Sequence, residues 1–245
     1  MIKDGILLAG GAGTRMQPFS SYVSKHLLNI AGKPVIDYPI ATLKQMGVEN
    51  LTIVVGSSFS GQILDYIQDG GRYGMNVNFT YQAKPEGIAH AINLCKRYVS
   101  GKFAVCLADN IFSAPIQFND DYIKSSAKIV LCEHQNLKRF GVASLDHTGI
   151  VGVEEKPQTL APELKHYAIA GCYLFDSKFF DFFGKIKPSA RLEYEITEII
   201  KQYHAANELS YANYDGVWLD AGTHESIALA NNYFHSLAKL KDGVA

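Results

Sequence analysis

The strongest constraint on the fold is a set of short, unbroken apolar runs. Residues 6–9, 51–55 and 103–107 each consist almost wholly of apolar side chains. Continuous runs, rather than alternating ones, are typical of strands whose sheet is covered by helices on both faces. These three runs therefore predict buried strands of a parallel sheet in an α/β protein.

Helical patterns fall between and after the strands. Gly47 stands where the first helix would end, and Thr223 can cap the last one. The order of strands and helices predicts a three-layer α/β sandwich with a mainly parallel, Rossmann-like mixed sheet. The predicted helices are 35–46, 87–99, 195–204 and 225–240.

The middle of the chain has a different pattern. Residues 140–145 and 151–155 flank Asp146-His147-Thr148-Gly149, a sequence typical of a hairpin turn. We therefore expect an antiparallel excursion from the parallel sheet. No linker rich in Pro, Gly or Ser divides the chain, so we predict a single domain over residues 1–245.

Composition narrows the class of partner. The net charge of −1, with both signs interspersed, disfavours nucleic acid, whose binders carry a basic patch. Four cysteines without a C-x-x-C pair predict buried free thiols in a reducing compartment. The first apolar run stops at Gly10, and no segment is long enough to span a bilayer. We expect a cytoplasmic protein without a membrane partner.

A glycine-rich segment, Gly10-Gly11-Ala12-Gly13-Thr14-Arg15, directly follows the first predicted strand. Its glycines let the backbone turn sharply and bring N–H groups to an anion, and Arg15 adds a forked donor suited to phosphate. Met16 breaks a dinucleotide fingerprint, and the Gly-Lys-Ser/Thr ending of a P-loop is absent. The residues alone leave two readings open, a phosphate loop or a tight turn.

Two aspartates follow predicted strands. Asp109 comes after residues 103–107, and Asp220 follows Val217-Trp218-Leu219. Ligands of parallel sheets gather at the carboxyl ends of the strands, where two carboxylates could hold one Mg²⁺. Aspartate is also common in turns and helix caps, so spacing alone does not decide.

Two further positions carry suitable chemistry. Gln82 precedes a turn, and its amide offers the donor and the acceptor that thymine or uracil requires, although a loop glutamine is commonly just solvated. Glu155 and Lys156 are either a surface ion cluster or ligand contacts. Neighbours in a regular strand face opposite sides, so both reach a ligand only if the strand ends there, as Pro157 indicates.

These motifs occur in a fixed order over nearly the whole chain. They resemble the sugar nucleotidyltransferases, and most nearly their thymidylyltransferase branch. The resemblance rests on the glycine-rich segment through Pro18, Ser24-Lys25, Lys33-Pro34, Tyr38-Pro39, Gln82, Leu107-Ala108-Asp109-Asn110, Glu154-Glu155-Lys156-Pro157, Arg191 to Thr197, and Trp218-Leu219-Asp220.

The resemblance implies a reaction and its requirements. A sugar 1-phosphate, glucose 1-phosphate first among them, attacks the α-phosphate of dTTP or UTP in line with the help of Mg²⁺, and pyrophosphate leaves. It also implies a homo-oligomer, dimer or tetramer. The nucleotide-binding part would be about 1–110, the sugar-binding part about 111–225 and the C-terminal helix about 225–240.

The resemblance also assigns residues. The catalytic set is Arg15, Lys25 and Lys156. The nucleotide-binding set is Gly10, Gly11, Gly13, Thr14, Arg15, Lys25, Gln82, Gly87 and Asp109. The sugar-phosphate set is Phe140, Gly141, Glu155, Lys156, Ile169 and Arg191. The metal ligands are Asp109 and Asp220. His26 and His90 lie beside these motifs and are interpreted as packing or rim residues.

Three positions depart from the thymidylyltransferase pattern. Asn29 replaces a proline, Phe140 replaces a tyrosine, and Ile169-Ala170 stands where Val-Thr is usual. The last two flank the sugar pocket, so another sugar stays open, as does thymine against uracil. A non-catalytic nucleotide-sugar sensor is the alternative outside enzymes. A dinucleotide-dependent oxidoreductase lacks its fingerprint here, and a glycosyltransferase would show D-x-D where Asp109-Asn110-Ile111 stands.

Overall fold

The architecture was analysed in a computed structural model that describes residues 2–11, 13–118 and 125–241. Within these residues, nine strands form one mixed sheet. They are β1 (Asp4–Ala9), β4 (Asn50–Val55), β5 (Asn76–Tyr81), β6 (Phe103–Leu107), β8 (Ala127–Cys132), β9 (Gly141–Asp146), β10 (Gly149–Glu155), β11 (Lys165–Phe175) and β12 (Leu209–Asn213).

Two small strand pairs and the helices complete the described elements. The paired strands are β2 (Asn29–Ile30) with β3 (Lys33–Pro34), and β7 (Asn110–Phe112) with β13 (Trp218–Asp220). The helices are α1 (Asp37–Gln45), α2 (Ser60–Ile67), α3 (Ile88–Asn93), α4 (Lys178–Phe183), α5 (Ile196–Ala205) and α6 (His224–Lys241).

The sheet has the order β10-β9-β11-β6-β1-β4-β5, with β8 beside β11 and β12 beside β8. Strands β6, β1, β4 and β5 are parallel neighbours, as are β8 and β12. Of the nine described strands, β10 and β11 alone run against the common direction. The predicted mixed, mainly parallel sheet is therefore confirmed, and the three predicted strands lie in β1, β4 and β6.

Two apolar layers sandwich the sheet. In β1, Ile6 and Leu8 pack into the layer of α3, α4 and α5, whereas Leu7 and Ala9 pack into the layer of α1 and α2. Successive side chains of a strand point to opposite faces, so an unbroken apolar run serves both layers. This explains the predicted pattern and confirms the three-layer sandwich.

The long strand β11 is shared by two neighbours in succession. Lys165–Ala168 pairs with β9, and Cys172–Phe175 pairs with β6. Between these two pairings, β11 continues through Ile169, Ala170 and Gly171. The sheet therefore opens at the carboxyl end of β6 and the amino end of β9, where the candidate site lies.

Some predicted boundaries differ from the observed ones. The second helix was predicted to reach Val99, but α3 ends at Asn93, and a 3₁₀ turn follows at Lys96–Tyr98. Asp4 accepts hydrogen bonds from the N–H and Oγ of Ser100 at 2.8 and 3.1 Å, and Gly101 has a φ of 66°. The chain thus turns into β6 at Ser100 and Gly101.

The predicted hairpin is present between β9 and β10. Asp146 Oδ1 accepts the N–H of Thr148 at 2.7 Å, and Gly149 has a φ of 128°. All four cysteines are free and buried, as predicted. Among the described residues, no helix has both the length and the apolar character that crossing a bilayer requires.

Helix α6 is capped as predicted by Thr223. Its Oγ1 accepts the N–H of Ser226 at 3.2 Å, and its own N–H donates to Ser226 Oγ at 3.0 Å. Thr223→Ala is expected to lower the free energy of unfolding by about 1 kcal/mol, because one N–H of the first turn loses its acceptor. Urea denaturation measures this. Thr223→Ser keeps the hydroxyl and serves as the control, and equal stability of all three proteins would contradict the cap.

Candidate active site

The glycine-rich loop begins directly after β1. Gly13 has a φ of 65°, in the left-handed region that favours glycine. A Cβ on Gly11 would lie 3.5 Å from Lys25 Nζ, and one on Gly13 would lie 3.5 Å from Lys25 Cδ. The loop thus packs along the Lys25 side chain without side chains of its own in the way. Ala12 lies outside the described residues.

Gly56, a glycine that sequence analysis missed, packs directly against this loop. A Cβ on Gly56, just after β4, would stand 2.3 Å from the carbonyl oxygen of Gly10. No real side chain fits at that distance, so Gly56 is what lets the two loops approach. Its place directly after a predicted strand was the available signal.

Lys25 forms an ion pair with Asp109, which follows β6. Lys25 Nζ lies 2.5 Å from Asp109 Oδ2, and the two side chains are only 10% and 14% exposed. Burial favours the neutral acid, but the Lys25 ammonium outweighs it and holds the pKa of Asp109 well below its usual range. Asp109 is therefore an anion facing the loop.

Strand pairing brings the second predicted aspartate beside the first. In the β7–β13 pair, Asp220 lies opposite Asn110, and the N–H of Ala221 donates to the carbonyl of Asp109 at 2.8 Å. Burial, and next the charge of Asp109, raise the pKa of Asp220 above its usual value. The two carboxylates that sequence analysis paired are close enough to repel each other.

Two arginines offset this repulsion. Arg139 Nη2 donates to Asp220 Oδ2 at 3.0 Å, and Arg15 Nη1 lies 4.0 Å from the same oxygen. A Cβ on Gly222 would stand 2.9 Å from both Arg15 Nη2 and Asp220 Oδ1, so glycine there leaves room for the pair. Sequence analysis named Arg15 but missed Arg139 and Gly222.

The carboxylates of Asp109 and Asp220 suit a hard cation that is bound together with a phosphate group. In the described part of the chain, no three His, Cys, Asp or Glu side chains converge as they do in metal sites made of protein ligands alone. Asp109 and Asp220 supply oxygen donors whose mutual repulsion a divalent cation would relieve. Mg²⁺ commonly takes one or two carboxylates and completes its shell with water and substrate phosphates.

Asn110 connects the Asp109 carboxylate with the sheet opening. Its Oδ1 accepts from the N–H of Gly171 at 2.9 Å and from Trp218 Nε1 at 2.8 Å, and its Nδ2 donates to Asp109 Oδ1 at 3.0 Å. Every polar atom of its amide is thus engaged in orienting a neighbour. Sequence analysis named Asn110 only as part of a motif.

Gln82 is not the solvated loop residue that its position could suggest. Its side chain is buried, and its Nε2 lies 3.3 Å from the carbonyl oxygen of Gly87 and 3.0 Å from His90 Nδ1. Gly87 has a φ of 99°, and a Cβ there would stand 2.6 Å from the carbonyl oxygen of Tyr194. The predicted base-binding pair is therefore in contact and leaves no space for a larger residue at Gly87.

The two histidines beside the motifs differ. His26 is buried, and burial, followed by the charge of Lys25, lowers its pKa to about 3, so it packs as a neutral ring. This confirms the interpretation as a packing residue. His90 instead makes a hydrogen bond to Gln82, so neither packing nor a place on the rim describes it fully.

The predicted end of β10 explains how Glu155 and Lys156 reach the same space. Strand β10 ends at Glu155, and Lys156 has a φ of 47°, which is rare outside glycine. This turn places both side chains on the same cavities. Thr197 Oγ1, missed by sequence analysis, donates to Glu155 Oε2 at 3.2 Å.

Arg191 is the centre of a carboxylate cluster. Its Nη2 lies 3.1 Å from Glu155 Oε1, 2.8 Å from Glu195 Oε1 and 3.6 Å from Glu193 Oε2. The structure thus places Arg191 beside Glu155, on the lining of the cavity that faces the glycine-rich loop. Its charge is shared among three carboxylates, so it orients Glu155 as well as facing the cavity.

The remaining sugar-side residues lie around the sheet opening. A Cβ on Gly141 would stand 2.7 Å from Thr197 Cγ2. The ring of Phe140 packs against Trp218 and His134, with centroids 5.0 and 4.7 Å apart. Phe140 and Ile169 both line a cavity of about 540 Å³. This cavity has an aromatic and aliphatic wall opposite the charged residues.

A second cavity, of about 340 Å³, lies on the side of the glycine-rich loop. It holds Gly10, Gly11, Lys25, Gln82 and Gly87. Gly13 and Thr14 line neither cavity, so the structure does not bring them to the site as predicted; Gly13 serves the turn instead. The predicted site residues common to both cavities are Arg15, Asp109, Glu155 and Lys156.

Fold and site together define the class of protein. An α/β sandwich carries paired cavities at the carboxyl end of β6, with cations and aspartates at their junction. Residues 4–236 match the family model described as nucleotidyl transferase. The chain belongs to the nucleotidyl transferase family.

Comparison with individual proteins shows which members of the family this chain is similar to. The chain is 32% identical over 248 residues to the glucose-1-phosphate thymidylyltransferase of Xanthomonas campestris pv. campestris (strain B100), covering 96% of this chain and 81% of that protein. It is 33% identical over 247 residues to that of Mycolicibacterium smegmatis, covering 98% and 84%. A solved structure of a candidate glucose-1-phosphate thymidylyltransferase from Bacillus anthracis, in complex with sucrose, superposes with a TM-score of 0.85 at 36% identity over 95% of each chain.

Proposed function

We propose that this protein joins a sugar 1-phosphate to dTTP or UTP, giving a nucleotide-diphospho-sugar and pyrophosphate. The observation that carries the proposal is the meeting of two cavities at Arg15, Asp109, Glu155 and Lys156. A reaction that joins two phosphorylated substrates requires such a junction. Glucose 1-phosphate is the first candidate, since the named relatives are glucose-1-phosphate thymidylyltransferases.

The chemistry needs no nucleophile from the protein. A phosphate oxygen of the sugar substrate bonds to the α-phosphorus while the bond from that phosphorus to the bridging oxygen breaks. The electron pair leaves on pyrophosphate. Because both reactants are anions, the protein must position them and stabilise negative charge. We assign Arg15 and Lys25 to the triphosphate, and Lys156 to the sugar phosphate.

Mg²⁺ is the proposed cofactor, with Asp109 and Asp220 as its protein ligands. Bound there, it would neutralise phosphate charge and make the α-phosphorus more electrophilic. Lys25 and Arg139 form ion pairs with the two carboxylates, so both side chains are held in place before substrates arrive.

The sugar side is assigned to Phe140, Gly141, Glu155, Ile169 and Arg191. Glu155 offers a carboxylate to sugar hydroxyls, held in place by its bonds to Thr197 and Arg191. A different sugar 1-phosphate is the second candidate. It is favoured by the Phe140 ring, which brings no hydroxyl to the cavity.

The wider context is proposed from the same resemblance. We place the protein in the cytoplasm as a single-domain homo-oligomer, with residues up to about 110 binding the nucleotide and residues about 111–225 binding the sugar. Size-exclusion chromatography with light scattering measures the oligomeric state directly.

The test is a pyrophosphate-release assay over four nucleotides and a panel of sugar 1-phosphates, with Mg²⁺ and with EDTA. Release is expected with dTTP or UTP and at least one hexose 1-phosphate, and only with Mg²⁺. If no pair gives release, the enzyme is excluded and a non-catalytic sensor is the remaining function. Release that persists in EDTA would exclude the Mg²⁺ assignment alone.

Lys156→Met is expected to raise KM for the sugar 1-phosphate by about 10- to 100-fold while KM for the nucleotide changes little, because one charged contact to phosphate is lost. Steady-state kinetics with each substrate varied in turn measures the two constants. Lys3→Met, at the opposite end of β1 from the glycine-rich loop, is the control. Equal increases in both KM values would contradict the assignment.

A further inference from the structure

The amide of Gln82 has a defined orientation. Its nitrogen faces the carbonyl oxygen of Gly87 at 3.3 Å, and a carbonyl oxygen can only accept a hydrogen bond. The group turned toward Gly87 must therefore be the NH₂. The same nitrogen lies 3.0 Å from His90 Nδ1, so both amide hydrogens have acceptors only if Nδ1 carries none.

Glu86 supplies the reason why Nδ1 of His90 is bare. Glu86 precedes α3 by two residues, and its Oε2 lies 3.3 Å from His90 Nε2. A carboxylate accepts, so a ring hydrogen belongs on Nε2, and Nδ1, which faces the NH₂ group, keeps its lone pair for Gln82. The ring also packs against Tyr194 and Phe183, with centroids 6.2 and 6.5 Å away, and these two rings contact each other at 5.0 Å.

With its nitrogen engaged, Gln82 offers only its oxygen to a ligand. In the part of the chain that the structure describes, no hydrogen-bond donor reaches Oε1. This atom is not one of the fully buried polar atoms that lack a partner, so a ligand can reach it. Oε1 faces the glycine-rich loop, where a Cβ on Gly10 would stand 3.2 Å away. Gln82 and Gly10 line the same cavity on the nucleotide side.

We infer that Glu86 and His90 are a positioning pair that turns the Gln82 carbonyl toward the base, so that the site takes a pyrimidine with a ring N–H and rejects cytosine. This rests on the proposed function, which puts a nucleotide in that cavity. Uracil and thymine carry a hydrogen on N3 and donate it to Oε1. Cytosine has a lone pair at N3, which would face the oxygen directly.

The selectivity thus depends on His90, which does not touch the base. A buried acceptor left facing a lone pair costs about 10- to 100-fold in affinity. In His90→Leu the amide keeps only one acceptor and can rotate, so UTP loses its fixed partner and CTP gains a donor. In His90→Asn the Oδ1 atom can take the place of Nδ1 and restore the orientation.

The experiment is calorimetric titration of the whole protein with UTP and with CTP in MgCl₂, without sugar phosphate. Wild type and His90→Asn are expected to prefer UTP by about 10- to 100-fold. His90→Leu and Gln82→Ala are each expected to reduce the preference to within a few fold. Adding His90→Leu to Gln82→Ala should then change nothing more. Circular dichroism checks that each variant is folded.

Three results would overturn the inference. They are a full UTP preference in His90→Leu, an equal loss of both nucleotides in that variant, and a further loss when His90→Leu is added to Gln82→Ala. Binding without turnover separates the two proposals: selective UTP binding by a protein that releases no pyrophosphate would exclude the enzyme and leave the positioning pair in place.

Discussion

Asp109→Asn is expected to lower kcat/KM by about 10³-fold or more, because the charge proposed to bind Mg²⁺, which also pairs with Lys25, is removed while the shape is kept. The other residues that line the two cavities are unchanged, so the loss is expected mainly in turnover. Pyrophosphate release at saturating Mg²⁺ measures the effect. Asparagine is preferred over alanine here because it leaves no space beside the buried Lys25 side chain.

The control for this variant is Asp181→Asn. Asp181 is exposed on α4 and lines neither cavity, so the activity of the Asp181→Asn variant should match that of wild type. A second variant, Lys25→Met with Asp109→Asn, removes the whole ion pair and tests whether any loss of folding stability comes from the unpaired lysine. Activity of Asp109→Asn within tenfold of wild type would exclude Asp109 as a metal ligand.

Gly56→Ala is expected to lower the free energy of unfolding by about 1–3 kcal/mol and to raise KM for the nucleotide. The added methyl group would lie 2.3 Å from the Gly10 carbonyl, so the backbone of the glycine-rich loop must move. Gly10 would then be displaced from its place beside Gln82. Urea denaturation and nucleotide kinetics measure the two effects.

Gly61→Ala is the matched control. Gly61 lies in the first turn of α2, and a Cβ there meets nothing within 4 Å. Alanine should be neutral or stabilise the helix by up to about 1 kcal/mol. If Gly56→Ala behaves like Gly61→Ala in both assays, the close approach of the two loops is not needed for nucleotide binding.

The local sequence pattern predicted the bounds of an element well where its own apolar residues set those bounds. Strand β6 was predicted with its observed bounds, and α5 within one residue at each end, since an unbroken run and a helical spacing each have one structural solution here. The end of α3 was wrong. The chain leaves the α-helix after Asn93 and forms a 3₁₀ turn at Lys96–Tyr98 before β6 begins.

The site residues likewise divide into those that the sequence predicted and those that only tertiary contacts reveal. Asp109 and Asp220 became candidates because both follow predicted strands and were assigned from the family resemblance, and the turn after Glu155 was predicted from Pro157. Arg139, Asn110 and Thr197 were missed as site residues, since nothing local distinguishes a polar side chain that bonds to groups distant in the chain. Their contacts arise only when β7 pairs with β13 and when α5 packs against β10.

The sequence by itself determined the layered sheet and the family, because apolar periodicity and the order of the motifs are present in the linear sequence. Only the tertiary structure decided the state of each functional group. The charge on Asp109, the shared opening along β11 and the direction of the Gln82 amide depend on atoms that are close in space and distant in sequence. Hydrogen bonds and charges act over a few ångströms, so they are settled by folding and not by spacing.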